Sequence, residues 1–137
     1  MKTLYTLFIF SLLILIGCDK HDPEPPLTGR WDWVQSKTTH FRADGSLWYE
    51  ESASPATQDS HYLLITADSM NEHHQTTGIL RETYTRSGNT LNVKSSVGRT
   101  PYTLAIMELT DRRLRVRFEQ LYGGLPYMHT DTEYSRR

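Results

Sequence analysis

Residues 113–119 alternate between charged and apolar side chains, and this period of two constrains the fold more than any other feature of the chain. Successive side chains of a β-strand point to opposite faces, so Leu114, Val116 and Phe118 share one face. The charged side chains of the segment share the other face. The pattern therefore predicts a strand with one face in a core and one in water.

Short segments of this kind recur along the chain, separated by turn residues, at a spacing of about 8–12 residues. The strands that they predict are 29–37, 46–50, 61–67, 69–75, 79–86, 90–94, 102–109, 113–119 and 127–136. Residues 51–60 are predicted to form one long polar loop. No helical periodicity of useful length accompanies them. We therefore predict an all-β fold, a small antiparallel up-and-down β-barrel of about eight strands, with a two-sheet sandwich as the alternative.

The charge balance and the cysteine content narrow the class of protein. The chain carries 15 Lys and Arg against 16 Asp and Glu, a formal net charge of −1, which does not favour binding to nucleic acid. Cys18 is the single cysteine, so no disulfide forms within the chain. Residues 27–137 suffice for one domain, which must be stabilised by packing alone.

A short apolar run near the N-terminus follows the positive charge of Lys2, which is the layout of an export signal. The run at 4–17 holds 14 residues. As a helix it would span about 21 Å, against about 30 Å for the hydrocarbon core of a bilayer. It is therefore predicted to be a cleaved signal helix. Residues 15–18, Leu-Ile-Gly-Cys, resemble the lipobox of bacterial lipoproteins, which implies a signal peptide over 1–17 and lipidation of Cys18.

Residues 18–26, which follow the signal peptide, are polar and rich in proline, a composition that favours an extended tether. Two or more acyl chains on Cys18 would anchor the protein stably, so the membrane is an implied partner. The resemblance thus implies the bacterial cell envelope, at the outer membrane on its periplasmic or surface face. Asp19 resembles an inner-membrane retention signal and Lys20 with Asp22 a surface-export signal, so the membrane and leaflet stay open.

The predicted domain begins with a Gly-x-Trp motif at 29–31. This motif resembles the start of the first strand of lipocalins. The segments at 84–91 and 106–114 look like hairpins of bacterial lipocalin-like lipoproteins. The resemblance implies that Trp31 plugs the closed end of the barrel, with Arg136 as the candidate to stack over it.

The resemblance also implies a small hydrophobic or amphipathic ligand inside the barrel. Aromatic side chains are the candidates to contact it, and they are Trp33, Trp48, Tyr49, Tyr62, Tyr84 and Tyr102. The alternative is that these side chains only fill the interior, because barrels of about eight strands are either packed with side chains or hold one small ligand. Trp48 and Tyr49 adjoin the predicted long loop and are better placed at the rim of a pocket.

The motif Glu72-His73-His74 raises the question of a metal site. On a strand, His73 and His74 point to opposite faces, so they do not share one ion. Glu72 and His74 do share a face, but no third ligand is evident in the sequence. We therefore predict no bound metal and no cofactor.

Sequence signals for catalysis are also lacking. There is no thiol beyond Cys18, no Gly-x-Ser-x-Gly motif and no glycine-rich phosphate loop. We expect a membrane-anchored lipoprotein that binds a small molecule and is not an enzyme. The alternative is a protein-interaction, inhibitor or accessory module of the envelope with a filled barrel, and the two differ in whether the barrel contains a cavity.

Overall fold

The computed structural model describes residues 25–57, 60–96, 98–123 and 125–136. The predicted signal peptide, Cys18 and most of the tether lie outside these residues, so lipidation stays a prediction. Within the described part of the chain, no helix is long and apolar enough to cross a membrane.

The described residues form nine β-strands and contain no α-helix. The strands are β1 (Gly29–Phe41), β2 (Leu47–Ala53), β3 (His61–Ile65), β4 (Ser69–His74), β5 (Gly78–Ser87), β6 (Thr90–Ser95), β7 (Tyr102–Leu109), β8 (Arg113–Tyr122) and β9 (Leu125–Ser135). Neighbouring strands are antiparallel, and the pairing of β1 with β9 closes the sheet on itself. The prediction of an all-β antiparallel barrel of about eight strands is confirmed, since eight of the nine strands form the closed ring.

The first strand is long enough to pair with two strands on one side. Its residues 29–32 pair with β3, whereas residues 36–41 pair with β2. On its other side, β9 follows β1 over residues 32–40. The closed ring therefore consists of β1 and β3 to β9, and β2 lies beside the far half of β1 as a hairpin arm.

The hairpin of β1 and β2 is longer than predicted. β1 runs to Phe41 and β2 to Ala53, because residues 50–53 pair with 36–39. The connection to β3 is accordingly shorter than the loop predicted at 51–60. The sequence does not reveal the last residues of β2 because they are mostly polar. Their backbone hydrogen bonds to β1 form without any alternation of apolar side chains.

Inward-pointing side chains of the ring, together with Leu27 of the segment before β1, form one apolar core. Its buried members are Leu27, Trp31, Leu63, Ile65, Met70, Leu91, Val93, Ile106, Leu114, Val116 and Tyr134. Leu114 and Val116 lie in it as the alternation at 113–119 predicts, and Phe118 lines the interior further along β8. Full burial of one such aliphatic side chain contributes about 1.5–3 kcal/mol.

Trp31 is the largest fully buried side chain and has no solvent exposure. Its indole N–H donates to the carbonyl oxygen of Leu27 at 2.8 Å. Arg136 stacks over its ring. The segment before β1 and the end of β9 therefore meet at this end of the barrel.

The arginine side chains on the charged face of β8 form ion pairs with residues of the neighbouring strands β7 and β9. Arg117 forms a bidentate ion pair with Asp131 of β9, in which Nε and Nη2 donate to the two carboxylate oxygens at 2.6 and 2.8 Å. Arg113 and Arg115 each lie within 4 Å of Glu108 of β7, at 3.6 and 3.7 Å. The hydrogen bond from Arg117 holds the pKa of Asp131 below its usual range.

Candidate functional site

The barrel encloses a cavity of about 320 Å³. Toward the end that contains Trp31 its wall is apolar and includes Ile65, Leu91 and Leu114. Toward the other end it adjoins a wider cleft of about 620 Å³ at the surface. The residues that line both spaces are Glu72, Glu82, Tyr102 and Phe118. The cavity thus has an apolar inner end and a polar mouth.

Glu82 is a buried carboxyl group in this wall, with 4% of its surface exposed. It accepts a hydrogen bond of 2.6 Å from the hydroxyl of Tyr102. Burial raises the pKa of Glu82 above its usual value, although the Tyr102 hydrogen bond opposes the shift. Burial also raises the pKa of Tyr102, so this hydroxyl stays protonated and donating. The pair therefore presents a fixed hydrogen-bonding site inside the barrel.

Glu72 lies between two histidines on the inner face of the same end. Its Oε1 is 2.7 Å from Nε2 of His61 and 3.4 Å from Nε2 of His74. The two imidazole rings are 3.9 Å apart between centroids. Burial pushes the pKa of Glu72 upward, but the hydrogen bonds and charges of the histidines outweigh burial and hold that pKa below its usual value. We refer to these three residues as the His–Glu–His cluster.

His61 is the member of this cluster that the sequence pattern does not reveal. It lies on β3 directly opposite His74 of β4, so the two side chains share a face. The alternation of His61 with Leu63 and Ile65 places it on the inner side of its strand. Counting outward from the tight turn between β3 and β4 gives the register, and that count is the signal that would have identified it.

Hydroxyl groups form a polar seam on the inner side of β1 and β9. Ser36 and Thr38 hydrogen-bond across the strands to Thr132 and Thr130, at 3.1 and 3.0 Å. The indole N–H of Trp33 donates to the Ser36 hydroxyl at 3.0 Å. An irregularity in register after Trp33 changes the parity of β1, which is why Trp33 and Ser36 face the same side.

Two of the aromatic residues predicted to contact a ligand lie inside the barrel wall. Tyr102 lines the cavity and its mouth. Trp33 is half-buried and packs against the His61 ring, with 4.6 Å between centroids. Tyr102 is thus placed to contact a bound molecule, whereas Trp33 lies beside the His–Glu–His cluster and lines neither the cavity nor the outer cleft.

The other four predicted residues lie away from the cavity. Tyr62 stacks between the Arg30 guanidinium and the His73 ring. Tyr84 donates its hydroxyl to the Thr66 carbonyl oxygen at 2.8 Å. Trp48 and Tyr49 stand on the β2 arm, 61% and 42% exposed. Of these residues, Tyr84 is half-buried and packs against the apolar core without lining the cavity. Alternation alone does not separate the outward-facing Tyr62 from Tyr102, because it does not say which face of a strand points inward.

Together, the apolar inner end and the polar mouth can hold one small molecule that has an apolar part and hydrogen-bonding groups. The carboxylates of Glu72 and Glu82 accept hydrogen bonds, so the arrangement favours donors on that molecule. Comparison with protein-family models, with curated proteins and with solved structures finds no significant match to this chain.

Proposed function

We propose that this chain is a bacterial lipoprotein, anchored at the cell envelope through Cys18, whose lipocalin-like barrel binds one small amphipathic molecule. The lipobox at 15–18 supports the anchor. The closed barrel of eight strands, its Gly-x-Trp start at 29–31 and the stacking of Arg136 over Trp31 support the lipocalin-like character. In this role the domain binds its ligand and catalyses no reaction.

The cavity is the observation that carries this proposal. A barrel of about eight strands is either filled by its own side chains or open to one small ligand. Here a volume of about 320 Å³ remains inside. That volume lies at the lower end of the range of about 300–1,000 Å³ for small-molecule sites. The ligand is therefore expected to be compact.

The lining indicates the chemistry of the ligand. An apolar group fits against Leu91 and Leu114 at the inner end. At the mouth, the carboxyl groups of Glu72 and Glu82 favour a hydroxyl or an amine, because both groups donate hydrogen bonds. A ligand carboxylate is disfavoured beside Glu72 and Glu82 and is better placed at Arg99, which lines the outer cleft.

A protein-interaction module is the second candidate function, and β2 favours it. Leu47, Trp48 and Tyr49 of this strand are exposed, and within the described residues β2 pairs with β1 alone. An open strand edge with apolar side chains can accept a strand of a partner. The cavity is the reason to place ligand binding first, since this second function makes no use of the space inside the barrel.

Native mass spectrometry tests ligand binding even though the ligand is unidentified. The full-length chain is extracted in detergent from the membranes of its native organism, and a bound small molecule is expected in a ratio of one per chain. Leu104→Trp places a larger side chain in the cavity that Leu104 lines. Met107→Trp is the matched control, because Met107 lies on the same strand and is exposed.

The added mass should disappear from Leu104→Trp and persist in Met107→Trp. Absence of any small molecule from the unaltered chain would reject the proposal. Persistence of the added mass in Leu104→Trp, with a native circular dichroism spectrum, would place the ligand outside the cavity.

A further inference from the structure

The His–Glu–His cluster has the composition and the spacing of a metal site. His61 comes from β3, and Glu72 and His74 come from β4. One potential ligand atom from each residue lies within 4.8 Å of the other two. We propose that His61, Glu72 and His74 bind one Zn²⁺ ion at the mouth of the barrel. This inference goes beyond the proposed function and does not depend on it.

The distances between the ligand atoms suit a tetrahedral ion. Zinc bonds to histidine nitrogen and carboxylate oxygen are about 2.0–2.2 Å, which sets neighbouring ligand atoms about 3.4 Å apart. Nε2 of His74 and Oε1 of Glu72 are already 3.4 Å apart. The distance from Nε2 of His61 to that oxygen is 2.7 Å, a hydrogen-bond length. A shift of less than about 1 Å in one side chain would separate the two atoms enough for both to coordinate one ion.

The donor atoms select the class of metal. Calcium and magnesium prefer sites made of oxygen ligands. Two imidazoles with one carboxylate instead suit zinc and neighbouring transition metals. Among these metals zinc fits best, because zinc sites commonly combine three protein ligands with one further molecule. Glu72 also lines the cavity, so the fourth ligand position adjoins the space inside the barrel.

The surrounding structure holds the ligands in place while leaving them accessible. His61 and His74 are directly paired residues of adjacent antiparallel strands, which fixes the separation of their backbones. The ring of Trp33 packs against His61 and restricts its rotation. Side-chain exposures of 13% for His61, 28% for Glu72 and 35% for His74 leave a path for an ion. Preorganised ligands lose little freedom on binding.

Isothermal titration calorimetry with Zn²⁺ alone tests the site. The full-length chain is purified in detergent without a histidine tag, stripped of metal by a chelator and titrated. We expect one Zn²⁺ per chain and a higher unfolding temperature with metal, because an ion that binds the folded state stabilises it.

Variants identify the ligands. His61→Ala and His74→Ala should each weaken zinc binding by more than about 100-fold, since loss of even an outer-shell partner weakens metal sites about 10- to 100-fold. His73→Ala is the matched control. It removes a neighbouring imidazole that points outward and stacks on Tyr62, and zinc affinity should stay unchanged. Equal weakening in His73→Ala, or unchanged affinity in the other two, overturns the proposal.

A second, spectroscopic test uses the chain with all three ligands intact. It therefore still tests the site if a histidine variant does not fold. Co²⁺ bound by the cluster would lie close to the Trp33 indole, which is 4.6 Å from the His61 ring. Saturable quenching of tryptophan fluorescence by one equivalent of Co²⁺ is expected, reversed by excess Zn²⁺ and largely lost in Trp33→Phe. Absence of quenching, together with absence of a zinc isotherm, rejects the site.

Discussion

The guanidinium carbon of Arg136 lies 4.1 Å from the centre of the Trp31 ring. The same guanidinium donates to the carbonyl oxygens of Pro26 and Thr28, at 2.8 and 2.9 Å. Arg136 therefore joins the end of β9 to the segment that precedes β1, directly over the buried tryptophan. A cation over an aromatic face contributes about 0.5–2 kcal/mol, so burial of the indole itself is the larger part of the stabilisation.

Replacing Trp31 with Ala should lower the free energy of unfolding by about 3–5 kcal/mol, because a large cavity would replace a fully buried indole. Urea unfolding followed by far-UV circular dichroism measures the change. Trp48→Ala is the matched control, since Trp48 is mostly exposed. Its replacement should change the free energy of unfolding by less than about 0.5 kcal/mol. A loss below about 1 kcal/mol for Trp31→Ala would contradict its role as a core residue.

Gly29→Ala should lower the free energy of unfolding by about 1–3 kcal/mol. Gly29 has φ of +130°, a backbone conformation that residues with a Cβ rarely adopt. An added Cβ would lie 3.5 Å from the Arg136 guanidinium, which is ordinary contact, so the effect should come from the backbone. In an Arg136→Ala background the loss should therefore be the same. A smaller loss in that background would show that the guanidinium contact is responsible.

Local patterns in the sequence predict much of this fold. The alternation at 113–119 identifies β8 and its buried face, and the turn residues place most strand boundaries within a few positions. The motif at 29–31 leads to Trp31 and, through the family resemblance, to Arg136. The predictions of β8 and of the strand boundaries succeed because side-chain period and turn chemistry are local properties, whereas Arg136 is suggested by the resemblance alone.

The register between strands is not a local property, and the site depends on it. His61 lies 11 residues before Glu72 and meets it only through the pairing of β3 with β4. The irregularity after Trp33 likewise changes which residues of β1 face inward. Tyr62 and Tyr102 look alike in the sequence, yet the first stacks outside the barrel and the second lines the cavity. A single sequence shows the faces of each strand but not which face is inside.

Cys18→Ser should abolish acylation and shift the protein out of the detergent-rich phase in cloud-point partition. The physical reason is that two or more acyl chains, and not the polar domain, would hold the protein in a membrane. Incorporation of a labelled fatty acid measures acylation directly, independently of whether the signal peptide is cleaved. Asp22→Asn is the control, because it alters the tether and leaves the lipobox intact. Continued incorporation of label into Cys18→Ser would contradict the anchor.

Glu82 and Asp131 should affect the pH dependence of stability in opposite directions. Burial raises the pKa of Glu82 above 4.5, so the folded chain binds its proton more tightly than the unfolded chain does. This contribution to stability is complete below about pH 4.5 and is lost as the pH rises through the folded pKa. The ion pair with Arg117 instead lowers the pKa of Asp131 below 3.8. Its contribution is present above that pH and is lost as the pH falls through the folded pKa.

Glu82→Gln should therefore become more stable relative to the unaltered chain as the pH rises from about 4 to about 8. The amide oxygen of the variant still accepts the hydrogen bond from Tyr102, so the comparison isolates the titrating proton. Urea unfolding at a series of pH values measures the difference. Asp131→Asn serves as the control of opposite sign. The difference in unfolding free energy between this variant and the unaltered chain should shrink only as the pH falls below about 4. A difference between Glu82→Gln and the unaltered chain that does not vary with pH would show that burial does not perturb this carboxyl group.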